Sequence, residues 1–314
     1  MAESSRIGVV LSAGGVRGVY AHTGFLQAIE QMNIPISAVA GCSAGAIVGG
    51  VYASGTPLGQ WVEAIQGLEE SDFWQPGSWT RTLWKLLASR GRTFTGISGT
   101  DVAIVSCRNQ LAVDRFEQCH LPFHALATSL SSGGKILFSE GEMAPRIIAS
   151  AAIPLLYQPV EIAGEYYCDG GIMDLGPTDA ICCRHHLDVL IVNHVANRSK
   201  GFHGIGSNRA SAWPILDIID SLMFRSRPWY LSDQPLTFRR CPCGCKALIV
   251  VVEPELPDLP WPQTERGPEI QVVARDHLTD LLAPHIDAIL HRPRMLLDRV
   301  RISDSPTLSC GESC

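Results

Sequence analysis

Residues 7–53 carry two successive units of strand, glycine turn and helix, a pattern that limits the chain to an α/β architecture starting with parallel strands. Ile7, Val9, Val10 and Leu11 are apolar and β-prone, and Ser12-Ala-Gly-Gly-Val-Arg-Gly18 breaks that strand. Across residues 19–32 the apolar positions Val19, Phe25, Leu26, Ile29 and Met32 fall at three- and four-residue steps, which predicts a helix with one apolar face. Residues 33–35 end it and 38–40 form a short strand. Gly41-Cys-Ser-Ala-Gly45 then turns into a second helix that stops near residue 53.

The chain is long enough to bury a core behind this pattern. Its 314 residues are 46% apolar, which excludes a disulfide-stapled miniprotein. Charged residues make up 18%, below the roughly 25% of an average soluble domain, so disorder as the dominant state is excluded. A net charge of −6 gives no basic field, and nucleic acid is not an expected partner. No apolar run reaches the roughly 18 residues of a membrane span. Glu3 stands where an export signal needs basic residues, so the eleven scattered cysteines are read as reduced thiols and the expected location is the cytoplasm.

Residues 57–109 read as mostly helical and hold Trp61, Trp74, Trp79 and Trp84, four of the seven tryptophans. This segment is a candidate cap over the sheet edge, its indoles either core residues or a lid meeting a lipid interface. Residues 123–130 and 135–138 read as a β-hairpin, 142–152 as a helix, and 166–168 as a strand feeding Asp169-Gly-Gly171. A helix-like stretch at 178–185 leads to a strand at 189–194. Beyond residue 196 the expectations are a loop at 198–209, a helix at 213–224, a strand at 247–252, a five-proline irregular connection at 254–268 and a closing helix at 271–290. Residues 303–314 have the composition of a mobile tail. No repeat or clean linker divides the chain, so one domain is expected.

The chemistry-bearing motifs sit at the ends of these strands. Gly-x-Ser-x-Gly at 41–45 places Ser43 at a strand-to-helix corner, where glycine flanks make room for an elbow that presents the hydroxyl. The alternative is a small-residue turn in a packed α/β unit. A serine nucleophile needs amide donors for its oxyanion, and the loop Ala13-Gly-Gly-Val-Arg-Gly18 follows the neighbouring strand. A dinucleotide fingerprint is disfavoured, because position 13 is Ala and the strand at 38–40 ends without the acid that would hold a ribose. None of the ten histidines, His22, His185, His186 and His194 included, occupies a glycine-rich catalytic turn. Asp169-Gly-Gly171 follows a strand, and its glycines let a carboxylate project from the sheet; an ordinary Asp-Gly turn is the alternative.

Taken together and in this order, the glycine loop ending Arg17-Gly18, the Ser43 elbow some 25 residues later, and Asp169-Gly-Gly171 with Pro177 beyond it resemble the patatin-like phospholipase family over roughly residues 6–195. The resemblance implies a three-layer α/β/α fold with a mainly parallel central sheet, a catalytic core at 6–195 that includes the helical cap, and a C-terminal extension at 196–302 packed on the same domain. It implies a lipid acyl hydrolase of phospholipase A, lysophospholipase or esterase type, acting through an acyl-enzyme without a cofactor. An acyltransferase or thioesterase using the same residues, and a non-catalytic lipid-binding scaffold, are the other readings. Carried over by position, Ser43 is the nucleophile and Asp169 its base, Gly41 and Gly45 shape the elbow, and Gly170 and Gly171 form the turn of the dyad. Gly14, Gly15, Val16, Arg17 and Gly18 form the oxyanion loop, with Arg17 also holding the loop or an anionic head group. Two positions depart from the family pattern: Ala13 replaces the first loop glycine, and Leu175, after Asp174, replaces an Asn that orders the turn.

Two further segments carry weaker patterns. Cys241-Pro-Cys-Gly-Cys245 sets three thiols in five residues, but it lacks the paired Cys-x-x-Cys spacing of zinc sites. It reads as a cysteine-rich surface turn and no metal is expected. Cys241, Cys243 and Cys245 are the candidate ligands if one binds, with Cys182, Cys183 or histidines as the other half. Phe224-Arg-Ser-Arg-Pro-Trp-Tyr230 mixes basic and aromatic groups suited to peripheral contact with anionic lipid.

Overall fold

The computed structural model describes residues 5–76, 95–195, 228–257, 259, 264–298 and 300. Five parallel strands form the middle of a nine-stranded sheet: β1 (Ile7–Leu11), β2 (Ile36–Cys42), β4 (Phe123–Ser129), β9 (Val189–Asn193) and β11 (Leu248–Val252), in the order β11-β9-β1-β2-β4. Antiparallel strands complete both flanks. β10 (Leu236–Arg240) pairs with β11, while β5 (Lys135–Phe138) and β8 (Glu165–Asp169) pair with β4, and β7 (Val160–Ile162) pairs with β8. A separate two-stranded sheet joins β3 (Gly96–Ser98) to β6 (Leu155–Tyr157).

The middle strands are apolar along their whole length because both faces are covered. Val9, Leu11, Val39, Ile191 and Val250 face one core, and Val10, Ala38, Ala40, Val192 and Val251 face the other, following the two-residue alternation of a strand. The first face packs against α1 (Gly15–Gln31), α2 (Ala44–Ser54), α5 (Met143–Ala151) and α6 (Gly267–Leu282). Among the described residues, the second face is closed by the turns at 178–186 and by Tyr230 rather than by a helix. The helix-like reading of 178–185 is therefore corrected: the segment is a run of turns, with Leu187 N–H reaching back five residues to Cys182 O.

Other boundaries shift for local reasons. α1 begins at Gly15, four residues ahead of the start at Val19 that the apolar pattern predicts, because positive φ at Gly15 (+57°) lets the chain enter the helix directly from the loop. The closing helix is broken near Pro284 into α6 and α7 (Ile286–His291), followed by α8 (Pro293–Leu297). β10 has no counterpart in the sequence expectations.

The cap contains α3 (Leu58–Gln66), β3 and α4 (Asp101–Gln110). Trp61 and Trp74 are buried, and the Trp61 indole N–H donates to Thr23 Oγ1 at 2.8 Å, so both are core residues rather than lid rings. Trp79 and Trp84, the helix at 213–224, the loop at 198–209, residues 224–227 of the basic-aromatic run and the tail at 303–314 lie outside the described residues. Among the described residues no helix is long and apolar enough to cross a membrane.

Candidate active site

β2 ends at Cys42, and α2 begins at Ala44, so Ser43 alone makes the corner. Its backbone stands at φ +54°, ψ −120°, a region L-residues avoid at a cost of order 1–3 kcal/mol. The flanking glycines are what make the corner possible. A Cβ on Gly41 would lie 2.2 Å from Gly45 O, and one on Gly45 would lie 2.1 Å from Leu11 O. Ser43 N–H donates to Ser150 Oγ at 2.9 Å, and the Ser150 hydroxyl donates to Leu126 O at 2.5 Å. Ser150, on α5, thus ties the elbow to β4.

Strand register sets Asp169 opposite this corner. Cys42 pairs with Leu126, and the next residue of β4, Ala127, pairs with Asp169 on that same flank, the one opposite β5, so β8 continues the edge of β4 where β2 leaves it and Asp169 is level with the Ser43 corner. Because β8 is antiparallel to β4, Asp169 enters from the opposite direction to Ser43. Its carboxyl is fully buried; Oδ1 accepts the Gly171 N–H at 2.7 Å within the short helical turn Gly170–Ile172. Burial raises its pKa from 3.8 to about 6, against the opposing pull of the Ser43 side chain and the Gly171 N–H. Oδ2 is buried and has no hydrogen bond of standard geometry.

The glycine loop lies beside the elbow. Gly15 and Val16 occupy the first turn of α1, where backbone N–H groups have no intrahelical acceptor, and among the described residues theirs make no hydrogen bond. Both residues line the same cavity as Ser43. Gly14 is the N-cap of α1. Gly18 is corrected as an oxyanion donor: its N–H is already bonded to Gly14 O at 2.8 Å, a consequence of the early helix start. Its role is spatial, since a Cβ there would meet the Ala44 Cβ at 2.9 Å. Arg17 Nη2 donates to Val195 O at 2.6 Å, anchoring the loop to the end of β9.

The histidine nearest the loop is spent on structure. His22 is fully buried, its Nε2 lies 2.7 Å from Ser12 O and its Nδ1 2.9 Å from Asn193 Nδ2, and burial lowers its pKa to about 3. With Nε2 donating to the carbonyl and Nδ1 accepting the amide, the ring is neutral and has no lone pair for a serine proton. The departure at Leu175 is also accounted for. Leu175 O accepts the Ala13 N–H at 2.7 Å, and the turn is held by Lys135, whose ammonium contacts Asp174 at 2.8 Å and Asp179 at 2.5 Å.

The cavity in front of Ser43 has a volume of about 140 Å³ and a mainly apolar wall that includes Val19, Ile47, Val51, Trp61, Ile65, Phe73, Ile148 and Tyr157. Sequence reasoning missed Ser150 and this wall; a serine in a helix has no local signature, and the wall draws on five separate segments. The cysteine run 241–245 is not a lone surface turn: Cys241 is buried and the run meets Cys182 and Cys183.

Comparison with known proteins gives concordant matches. The model of the patatin-like phospholipase family matches residues 9–181. An uncharacterized NTE family protein of Mycobacterium tuberculosis is 34% identical over 172 residues, 55% of this chain and 44% of the relative. Lysophospholipase NTE1 of Cryptococcus neoformans is 29% identical over 188 residues, 60% of this chain and 11% of that protein. The matched region thus spans less than half the length of these curated relatives. Among solved structures, human GIVD cytosolic phospholipase A2 in complex with methyl gamma-linolenyl fluorophosphonate and terbium chloride aligns over 94% of this chain and 60% of its own, at 12% identity and a TM-score of 0.48. VipD from Legionella pneumophila aligns over 90% and 67%, at 14% identity and a TM-score of 0.42.

Proposed function

The chain belongs to the patatin-like phospholipase family, and from that premise we propose that it hydrolyses lipid acyl esters with Ser43 as nucleophile and Asp169 as its base. The observation that supports this reading is the strained elbow at Ser43, which lines an apolar cavity and lies level in the sheet with a buried carboxyl of raised pKa.

The acyl chain lies along the apolar wall, placing its carbonyl carbon at Ser43 Oγ. As Oγ attacks, Asp169 takes the hydroxyl proton, and the carbonyl oxygen gathers negative charge in front of the Gly15 and Val16 N–H groups. Those donors sit at the positive end of α1 and are worth about 3–4 kcal/mol each when aimed at the developing charge. Collapse of the tetrahedral intermediate expels the alcohol, which leaves with the proton held by Asp169. Water then gives a proton to Asp169, attacks the acyl-enzyme and releases the fatty acid, which restores the Ser43 hydroxyl. An ordinary aspartate is a weak base; a pKa near 6 brings it closer to the working range while it stays mostly ionised at neutral pH.

The test is release of free fatty acid from phosphatidylcholine and lysophosphatidylcholine vesicles, followed by mass spectrometry. The wild-type chain releases fatty acid, and Ser43→Ala and Asp169→Asn each lose at least three orders of magnitude, in the range that removal of a nucleophile or its base produces elsewhere. Equal turnover by the wild type and Ser43→Ala would refute the assignment.

A further inference from the structure

Five cysteine sulfurs converge where the turns at 178–186 meet the β10–β11 hairpin: Cys182, Cys183, Cys241, Cys243 and Cys245 have their Sγ atoms within 4.8 Å of one another. From this convergence we propose that the protein holds one structural Zn²⁺ ion through four of these five thiolates.

The spacing fits a thiophilic ion with tetrahedral preference. Zn–S bonds of about 2.3 Å require Sγ–Sγ edges of about 3.8 Å in a regular tetrahedron. Cys182 lies 3.4 Å from Cys241, 3.6 Å from Cys183 and 4.0 Å from Cys243. The Cys183–Cys243 and Cys241–Cys243 separations are 2.8 Å, far longer than the roughly 2.05 Å of a disulfide. All five residues are free cysteines.

The surroundings favour thiolate ligands over thiols packed as small apolar groups. Cys183, Cys243 and Cys245 are only partly buried, so burial alone does not explain why they turn inward. The run is closed into a tight turn by the Gly244 N–H, which donates to Cys241 O at 3.2 Å. Gly244, at φ +77°, supplies the left-handed turn that folds the run back on itself. Hard cations prefer oxygen, and a wholly sulfur donor set selects a soft or borderline ion such as Zn²⁺.

The ion would bind two parts of the chain that lie about 60 residues apart in sequence. The family match ends at residue 181, immediately before Cys182, so all five cysteines lie outside the matched residues. It anchors the edge hairpin to the segment whose earlier residue, Leu175, holds Ala13 in the glycine loop. Each ligating thiol releases its proton to solvent on binding, so uptake is favoured as pH rises.

The full chain, purified under reducing conditions without added chelator, is analysed by inductively coupled plasma mass spectrometry. One zinc per chain is expected, released in step with mercurial titration of the thiols. Co²⁺ exchanged into the site should give thiolate-to-cobalt charge transfer and the visible bands of a tetrahedral ion. Cys243→Ser/Cys245→Ser, in the partly buried turn, loses the metal and lowers Tm by several degrees while circular dichroism stays that of a folded chain. Zinc-free protein that takes up neither Zn²⁺ nor Co²⁺ overturns the proposal. So does iron with acid-labile sulfide, or a mass deficit showing disulfides among these cysteines in the freshly isolated protein.

Discussion

The Ser150 hydroxyl accepts the backbone N–H of Ser43 at 2.9 Å and donates to Leu126 O at 2.5 Å, so one side chain on α5 bridges the elbow and the strand beside it. The bridge keeps a strained corner from relaxing, and it satisfies a buried donor and a buried acceptor at once. Ser150→Ala leaves both unpaired, at a cost of about 1–3 kcal/mol for each buried group so orphaned. The expected result is a lower Tm and a fall in kcat larger than any change in KM, measured by melting and by steady-state ester hydrolysis. Ser150→Thr, which keeps the hydroxyl, should recover part of both.

Asp169 predicts the pH profile. Its carboxyl must be ionised to take a proton from Ser43, and burial raises its pKa to about 6. kcat/KM should therefore climb through about pH 6 and level off above it, rather than near the ordinary aspartate value of about 3.9. The effect on stability has the opposite sign. A carboxyl that holds its proton more tightly when folded favours the native state at low pH, and that advantage is lost as pH rises from 3.8 to about 6. At pH 7 the ionised group burdens the fold, so Asp169→Asn should be inactive yet more stable, by up to about 3 kcal/mol for a carboxyl raised from 3.8 to about 6. Denaturant titration at pH 7 and pH 4 reads this out: the gain of the Asn variant should shrink at the lower pH.

Backbone strain at Ser43 separates two inactive variants. With φ at +54° and ψ at −120°, an L-residue is strained there whatever its side chain, whereas glycine is not. Ser43→Gly should exceed Ser43→Ala in stability by about 1–3 kcal/mol, although glycine normally destabilises relative to alanine. Paired urea melts measure the difference directly, and equal stabilities would mean that the corner is relaxed.

Gly45→Ala should be among the most damaging single-methyl additions in the chain. The new Cβ would meet Leu11 O at 2.1 Å, and the obstructing atom is backbone of a central strand that cannot swing aside. Overpacking of this kind costs about 1–3 kcal/mol, and more where backbone is the obstacle. Loss of soluble expression or a large Tm drop is the expected outcome. Gly133→Ala offers a comparison: its φ is +66° but nothing lies within 4 Å of a Cβ, so only the milder conformational penalty applies.

Much of this site was legible because its motifs are local. The corner at Ser43 follows from a strand, two glycines and a helix within a few residues, and Asp169-Gly-Gly171 likewise carries its own turn. What the sequence did not disclose depends on pairing between distant segments. The direction of β8 cannot be read from residues 165–169, yet it decides how Asp169 approaches the Ser43 corner along the flank of β4 that β2 leaves. The resemblance carried Gly18 into the oxyanion loop by position, but the helix begins at Gly15, one turn ahead of the apolar pattern that starts at Val19, and consumes the Gly18 N–H. Cys182 and Cys241 are 59 positions apart, so nothing in the run 241–245 announces its partners.

Covalent labelling tests most directly whether Ser43 is a nucleophile activated by Asp169. Intact-mass analysis and peptide mapping after exposure to a long-chain alkyl fluorophosphonate should show one phosphonyl adduct, on Ser43. That adduct should be absent from Ser43→Ala and form far more slowly in Asp169→Asn. An unlabelled wild-type chain, an adduct on another residue, or labelling of Asp169→Asn at the wild-type rate would contradict the account.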